Sequence, residues 1–85
     1  MMPIRQLLNR IRWDAEFGRA DFEIGYYDRL EDKIVVVTIR QVHFSPGNHF
    51  SIEVIGDGGG SHMVPLHRIK EIYRNSVLVW ERHRE

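Results

Sequence analysis

The chain has 85 residues, no cysteine, and a formal net charge of zero with histidine neutral, twelve basic side chains balancing twelve acidic ones. A chain of this length makes one domain, buries only about 60 to 65% of the surface its unfolded form exposes, and leaves little room for a deep cleft. The lack of cysteine excludes a disulfide framework and thiolate metal sites; no run approaches the ~18 apolar residues of a membrane span and "MMPIRQLL" lacks a signal peptide's apolar stretch, so a cytoplasmic chain with no membrane partner is expected.

The balanced total hides an uneven distribution. Residues 1–12 carry Arg5, Arg10 and Arg12 and no acid, and residues 13–32 carry seven acids against Arg19 and Arg29. Residues 66–84 are basic again, with Arg68, Lys70, Arg74, Arg82 and Arg84 against Glu71 and Glu81, and with His67 and His83 in addition. If the two ends of the chain meet in the fold, they form a basic surface. Ten of the twelve basic residues are Arg, whose planar fork suits carboxylate and phosphate; genome composition or thermal adaptation gives the same usage.

Ile4, Leu7, Leu8 and Ile11 recur at i, i+3, i+4 and i+7 and predict an amphipathic helix from about Pro3 to Arg12. Arg5 and Arg12 then stand about 10 Å apart along one flank of its apolar stripe, able to reach one ligand or one acidic rim together. "DFEIGYYDR" alternates as a half-buried strand, with Phe22, Ile24, Tyr26 and Asp28 on one face and Glu23, Gly25, Tyr27 and Arg29 on the other. A turn at "LED" follows. "KIVVVTIR" is apolar on both faces and predicts the central strand of the core.

"FSPGN" is turn chemistry, and "HFSIEVI" alternates again with Phe50, Ile52 and Val54 inward. "GDGGGS" predicts a flexible hairpin loop leading to "HMVPLH", where Pro65 marks an edge strand or a strand end. "HRIKEIYR" reads as a helical turn or two, or as a strand paired with "VLVWER" across a tight turn at Asn75 and Ser76. The strand formers in "VLVW" need a neighbour and favour the hairpin. The expected fold is α+β: one N-terminal amphipathic helix packed on a small, strongly bent antiparallel sheet, or open barrel, of about six strands.

Few motifs carry recognisable chemistry. The glycine loop lacks the Gly-Lys-Ser/Thr ending of a P-loop, and no helix clearly begins after it. His43, His49, His62, His67 and His83 have no paired metal-ligand spacing on one element, so neither a metal nor another cofactor is expected. His-Phe-Ser occurs at His43 and again at His49, resembling the paired His-x-Ser/Thr motifs of two-histidine phosphoesterases. Those enzymes carry the motifs on separate lobes, whereas six residues separate them here. In "PLHRI", Pro65 to Ile69, an imidazole and a guanidinium adjoin at a strand end and offer several donors to one anion. The competing reading pairs Arg68 with Asp28 and makes His67 a turn cap.

"RIRWD", "YYDR" and "PLHRI", in this order and with a closing "VLVWERHR", resemble a family of short, mostly archaeal proteins whose domain is named the RNA cyclic group end recognition domain. The resemblance covers nearly the whole of residues 1–85 as a single domain and points to Arg12, Asp14, Tyr26, Asp28, Arg29, His67 and Arg68. It implies an RNA-binding module for a terminal phosphate, in particular a 2′,3′-cyclic phosphate, in RNA repair or processing. Arg12, Tyr26, Arg29, His67 and Arg68 would contact the RNA, with Asp14 and Asp28 orienting them from behind. RNA-repair enzymes are the implied partners, and a monomer or weak homodimer is expected. Two other classes stay open: a phosphoesterase in which His67 is the general acid or base, with Tyr26, Asp28 or His49 as its second proton-transfer group, and a protein-interaction adaptor using the acidic stretch from Asp14 to Asp32.

Overall fold

The apolar stripe near the N-terminus becomes helix α1, Ile4–Trp13, in the computed structural model, which describes residues 3–82; His83 and Arg84 of the basic C-terminal segment lie outside the described residues. Pro3 stands at the helix start, where its carbonyl accepts the Gln6 and Leu7 amides at 3.1 and 3.2 Å, and Leu7, Leu8 and Ile11 are buried. Asp14 ends the helix: its backbone leaves the helical region and its carboxylate accepts the Phe17 amide at 3.1 Å. A 3₁₀ turn, Phe17–Arg19, then folds back against the helix so tightly that a Cβ on Gly18 would lie 2.5 Å from the Ile11 carbonyl oxygen.

Strand β1, Phe22–Asp28, pairs antiparallel with β2, Lys33–Thr38, on one side and with β6, Ile69–Arg74, on the other; β6 continues to β7, Val77–Glu81. The order is β2-β1-β6-β7. A second antiparallel sheet has the order β3-β4-β5, from Val42–His43, Ser51–Ile55 and Ser61–Pro65. Phe22, Ile24, Tyr26, Ile69, Ile72 and Trp80 face inward from the first sheet, and Ile52, Val54 and Val64 from the second. With the α1 stripe they form one apolar cluster. Burial of each such side chain contributes about 1.5 to 3 kcal/mol, which is how so small a chain offsets its ordering entropy. No helix among the described residues is long and apolar enough to cross a membrane.

The α+β class and the N-terminal helix agree with the sequence reading, but among the described residues the single bent sheet of about six strands is replaced by two sheets with seven strands, not closed into a barrel. Two 3₁₀ corners cause this. Ile39–Gln41 takes the chain from β2 into β3, with Thr38 and Gln41 forming a capping box, and Leu66–Arg68 takes it from β5 into β6. β2 is an edge rather than the centre, with Ile34 41% and Val36 48% exposed, because β6 pairs with β1 on its far side. A strand apolar on both faces does not by itself announce two covered faces. Phe50 is 72% exposed instead of inward, because β4 begins only at Ser51 and Phe50 belongs to the preceding turn.

The β6–β7 hairpin forms as read, with Asn75 and Ser76 as a two-residue turn at φ 50 and 68. Asn75 also anchors the start of β1: its amide donates to the Asp21 carbonyl at 2.7 Å and its side-chain oxygen accepts the Asp21 amide at 2.9 Å. Ser76 has no such compensation for its left-handed backbone. Ser76→Gly is therefore expected to stabilise the fold by about 0.5 to 1 kcal/mol, raising the melting temperature by roughly 2 to 8 °C; an unchanged or lower melting temperature would count against a strained turn.

Candidate functional site

The flank of α1 that carries Arg5 and Arg12 faces the segment 44–51, and between them runs an open groove with an empty volume of about 360 Å³. Leu8, Ile52 and Leu66 make its apolar floor, and Asn9, His49 and Ser51 add polar groups to its walls. That volume includes open solvent, so the groove is a shallow surface feature rather than an enclosed ligand pocket. The loop is built by local chemistry. Ser45–Asn48 is a turn with Pro46 and a left-handed Gly47, closed by an Asn48 amide bond to the Ser45 carbonyl at 3.1 Å. The Asn48 side-chain oxygen accepts the Phe50 and Ser51 amides at 3.0 and 3.2 Å, and its nitrogen donates to Ser51 Oγ at 2.9 Å. The clamp leaves His49 and Phe50 exposed.

A neighbouring depression shares Arg5 and Leu66 with the groove and adds Phe50, His67 and Arg82. Here the ends of the described chain meet, as the charge distribution suggested. Arg82 holds the corner in place, donating from Nε to the Ile69 carbonyl at 3.0 Å and from Nη2 to the Leu66 carbonyl at 3.2 Å. Leu66 in turn donates its amide to the Phe50 carbonyl at 2.9 Å, tying the corner to the loop.

Among the described residues, no acid lines either concavity. Arg5 lies 4.9 Å from the Phe50 ring centroid, and Arg12 lies 4.9 Å from those of Trp13 and Phe44. The ion pair formed among the described residues is Arg10 with Asp14, at 3.8 Å. The groove arginines are thus positioned by ring faces, which leaves their N–H donors for a ligand.

Of the residues singled out from sequence, the structure brings Arg12 and His67 to these adjoining concavities. Arg68 follows His67 in the same corner, partly exposed and without an ion pair among the described residues. The first strand and "PLHRI" do converge, since Tyr26 pairs with Ile69, but Asp28 does not hold Arg68. Its carboxylate accepts the Leu30 and Glu31 amides at 2.9 and 3.3 Å and starts the β1–β2 turn, in which Arg29 is exposed. Tyr26 is only 4% exposed and shares a hydrogen bond of 3.1 Å with His62 Nε2, so its ring is not open to a base. Asp14 is engaged at the end of α1. Asn9, Phe44, Phe50 and Arg82 are not among the site residues expected from sequence, and His49 enters there only as a second proton-transfer group for the enzymatic reading. The doubled "HFS" was the available signal for the loop residues, although His43 does not line the groove with His49.

The model of the MJ1316 RNA cyclic group end recognition domain matches residues 1–82. The chain belongs to that family. It is 27% identical over 84 residues to a UPF0248 protein of the archaeon Saccharolobus solfataricus, an alignment covering 95% of this chain and 98% of that one. No solved structure matches it significantly. The family's name describes recognition of RNA cyclic ends, consistent with RNA binding.

The outer face of the four-stranded sheet has the opposite character in this family member. Glu23 stands beside Tyr73, Gly25 beside Glu71, and Glu71 beside Glu81. Desolvation raises the Tyr73 pKa above its ordinary 10.0, and Glu71, Glu81 and Glu23 push it further; burial first, then Asp28, raises that of Tyr26. Both phenols prefer the protonated form more in the folded chain than in the unfolded one. Their contribution to stability is full below the unfolded value of 10.0 and is lost as pH rises through the higher folded values. Melts across this alkaline range should fall less steeply for Tyr73→Phe than for the native chain; identical slopes would contradict a raised Tyr73 pKa.

Proposed function

We propose that the chain is a non-catalytic RNA-binding module that recognises a terminal phosphate, in particular a 2′,3′-cyclic phosphate, in RNA repair or processing in the cytoplasm. The observation that carries this reading is a groove lined by no acid among the described residues and flanked by Arg5 and Arg12, with Asn9 and His49 also lining it and His67 in the adjoining concavity. Guanidinium forks bind phosphate oxygens through charge-assisted hydrogen bonds, and the amide and imidazole supply further donors or acceptors for the ring oxygens. Arg68 serves the phosphate from the corner beside His67. Membership of the family supports RNA as the ligand. RNA-repair enzymes fit as partners because they make or consume such ends.

A binding role fits the imidazoles better than a catalytic one. Among the described residues neither His49 nor His67 has a hydrogen-bonded carboxylate, one of the supports that orient many catalytic imidazoles. Tyr26 and Asp28, the other groups considered for proton transfer, are engaged with His62 and with backbone amides.

Short RNAs that differ only in a cyclic-phosphate, open-phosphate or hydroxyl end should bind in that order of affinity. Arg12→Ala should weaken the cyclic-phosphate RNA by about 1.5 to 3 kcal/mol, and its log–log salt slope should lose about 0.7. Exposed Arg29, in the β1–β2 turn, provides the control, and Arg29→Ala should leave affinity unchanged. Asp28→Ala should lower stability by about 1 kcal/mol through its lost turn hydrogen bonds and leave affinity intact. Equal affinity for the three ends would remove end recognition, and release of an opened phosphate by the purified protein would replace the binding reading with an enzymatic one.

A further inference from the structure

Two large rings beside the groove are left in water. Trp13 is 74% exposed at the end of α1, and Phe50 is 72% exposed on the loop beside Arg5. In a chain with so thin a core, leaving them outside forgoes the stabilisation that burial gives. Each has a guanidinium near its ring, Arg12 at Trp13 and Arg5 at Phe50, both 4.9 Å from the centroid. Exposures of this size leave ring surface free on the side away from the cation. Arg12 also reaches Phe44 at 4.9 Å, and both Arg12 and Phe44 line the groove, so Trp13 is continuous with it. From Arg5 to Trp13 the helix rises about 12 Å, far enough for phosphates and bases of successive nucleotides to lie side by side.

Resting on the phosphate reading above, we propose that the groove takes a single-stranded RNA end of at least two nucleotides, with one base stacked on Trp13 and another on Phe50. Arg5 and Arg12 contact the end phosphate and the preceding phosphodiester. Bases locked in a duplex cannot reach the rings, so strandedness and length govern affinity while base identity matters little. The ligand class is an unpaired RNA overhang, distinct from a free cyclic mononucleotide or a blunt helical end.

The chain reports on this itself, since of its two tryptophans Trp13 is exposed and Trp80 is only 6% exposed. The purified full chain is titrated with a cyclic-phosphate mononucleotide, a dinucleotide, a tetranucleotide and a blunt hairpin bearing the same end, following both tryptophan emission and an independent binding signal. Affinity should rise about 5- to 150-fold from mononucleotide to dinucleotide, and the hairpin should bind no better than the mononucleotide. Dinucleotide should quench the native emission and fail to do so in Trp13→Phe. Phe50→Ala and Trp13→Ala should reduce dinucleotide affinity more than mononucleotide affinity, with circular dichroism confirming the fold; Phe50→Leu, which keeps apolar bulk without the ring, should behave like Phe50→Ala. A hairpin that binds as tightly as the dinucleotide, or dinucleotide affinity unchanged by all three ring-removing variants, overturns stacking while end recognition stands. No binding of any RNA overturns both readings.

Discussion

Strand β1 is the constraint on which the rest of the molecule depends. It is hydrogen-bonded along both edges, to β2 and to β6, while Phe22 and Ile24 beneath it are 1% and 0% exposed. With one helix available to cover the core, a second sheet has to close the remaining side, and the chain supplies it by leaving the first sheet at Ile39–Gln41 and returning at Leu66–Arg68. The return corner also carries His67, and Arg82 and the Phe50 carbonyl secure it. The geometry that completes the core therefore also sets the wall of the groove. Changes at Leu66 or Arg82 act on fold and site together, whereas changes at His67 act mainly at the surface.

Charge follows the same layering. Bases collect where the N-terminal helix meets the C-terminal strand, and Glu23, Glu71 and Glu81 collect on the outer face of the four-stranded sheet. Zero net charge is thus a sum over two unlike sides. The acidic side disfavours a polyanion and the basic side attracts one, so on the proposed reading RNA approaching at low salt would be steered toward the groove even though the total charge gives it no reason to come.

Local signals in the sequence are legible where local physics decides the structure. The 3.6-residue period places Arg5 and Arg12 on one flank of α1, and the turn residues Asn75 and Ser76 give the β6–β7 hairpin. Long-range placement is not legible in the same way. Phe50 looks like a core residue by alternation until the Asn48 clamp turns it outward, and "KIVVVTIR" looks central until β6 takes the far edge of β1. The ionisable residues of "YYDR" have structural contacts that the sequence does not announce: Asp28 organises a turn and Tyr26 bridges to His62 across the two sheets. Family resemblance supplies what pattern cannot, but it transfers residue types rather than contacts.

How the groove arginines are held matters as much as where they lie. A carboxylate partner would fix Arg12 firmly, yet a phosphate would then have to displace it and leave an acid beside the bound anion. The Phe44 and Trp13 rings lie beside the guanidinium and supply no counter-charge, so on the proposed reading an incoming phosphate breaks no ion pair among the described residues to reach Arg12. Trp13, the exposed ring of the two, also has surface that a base could meet. On the proposed reading, aromatic support of the cation and stacking of the nucleotide are two uses of one arrangement, which would let a domain too small for a deep pocket combine charge and shape at its surface.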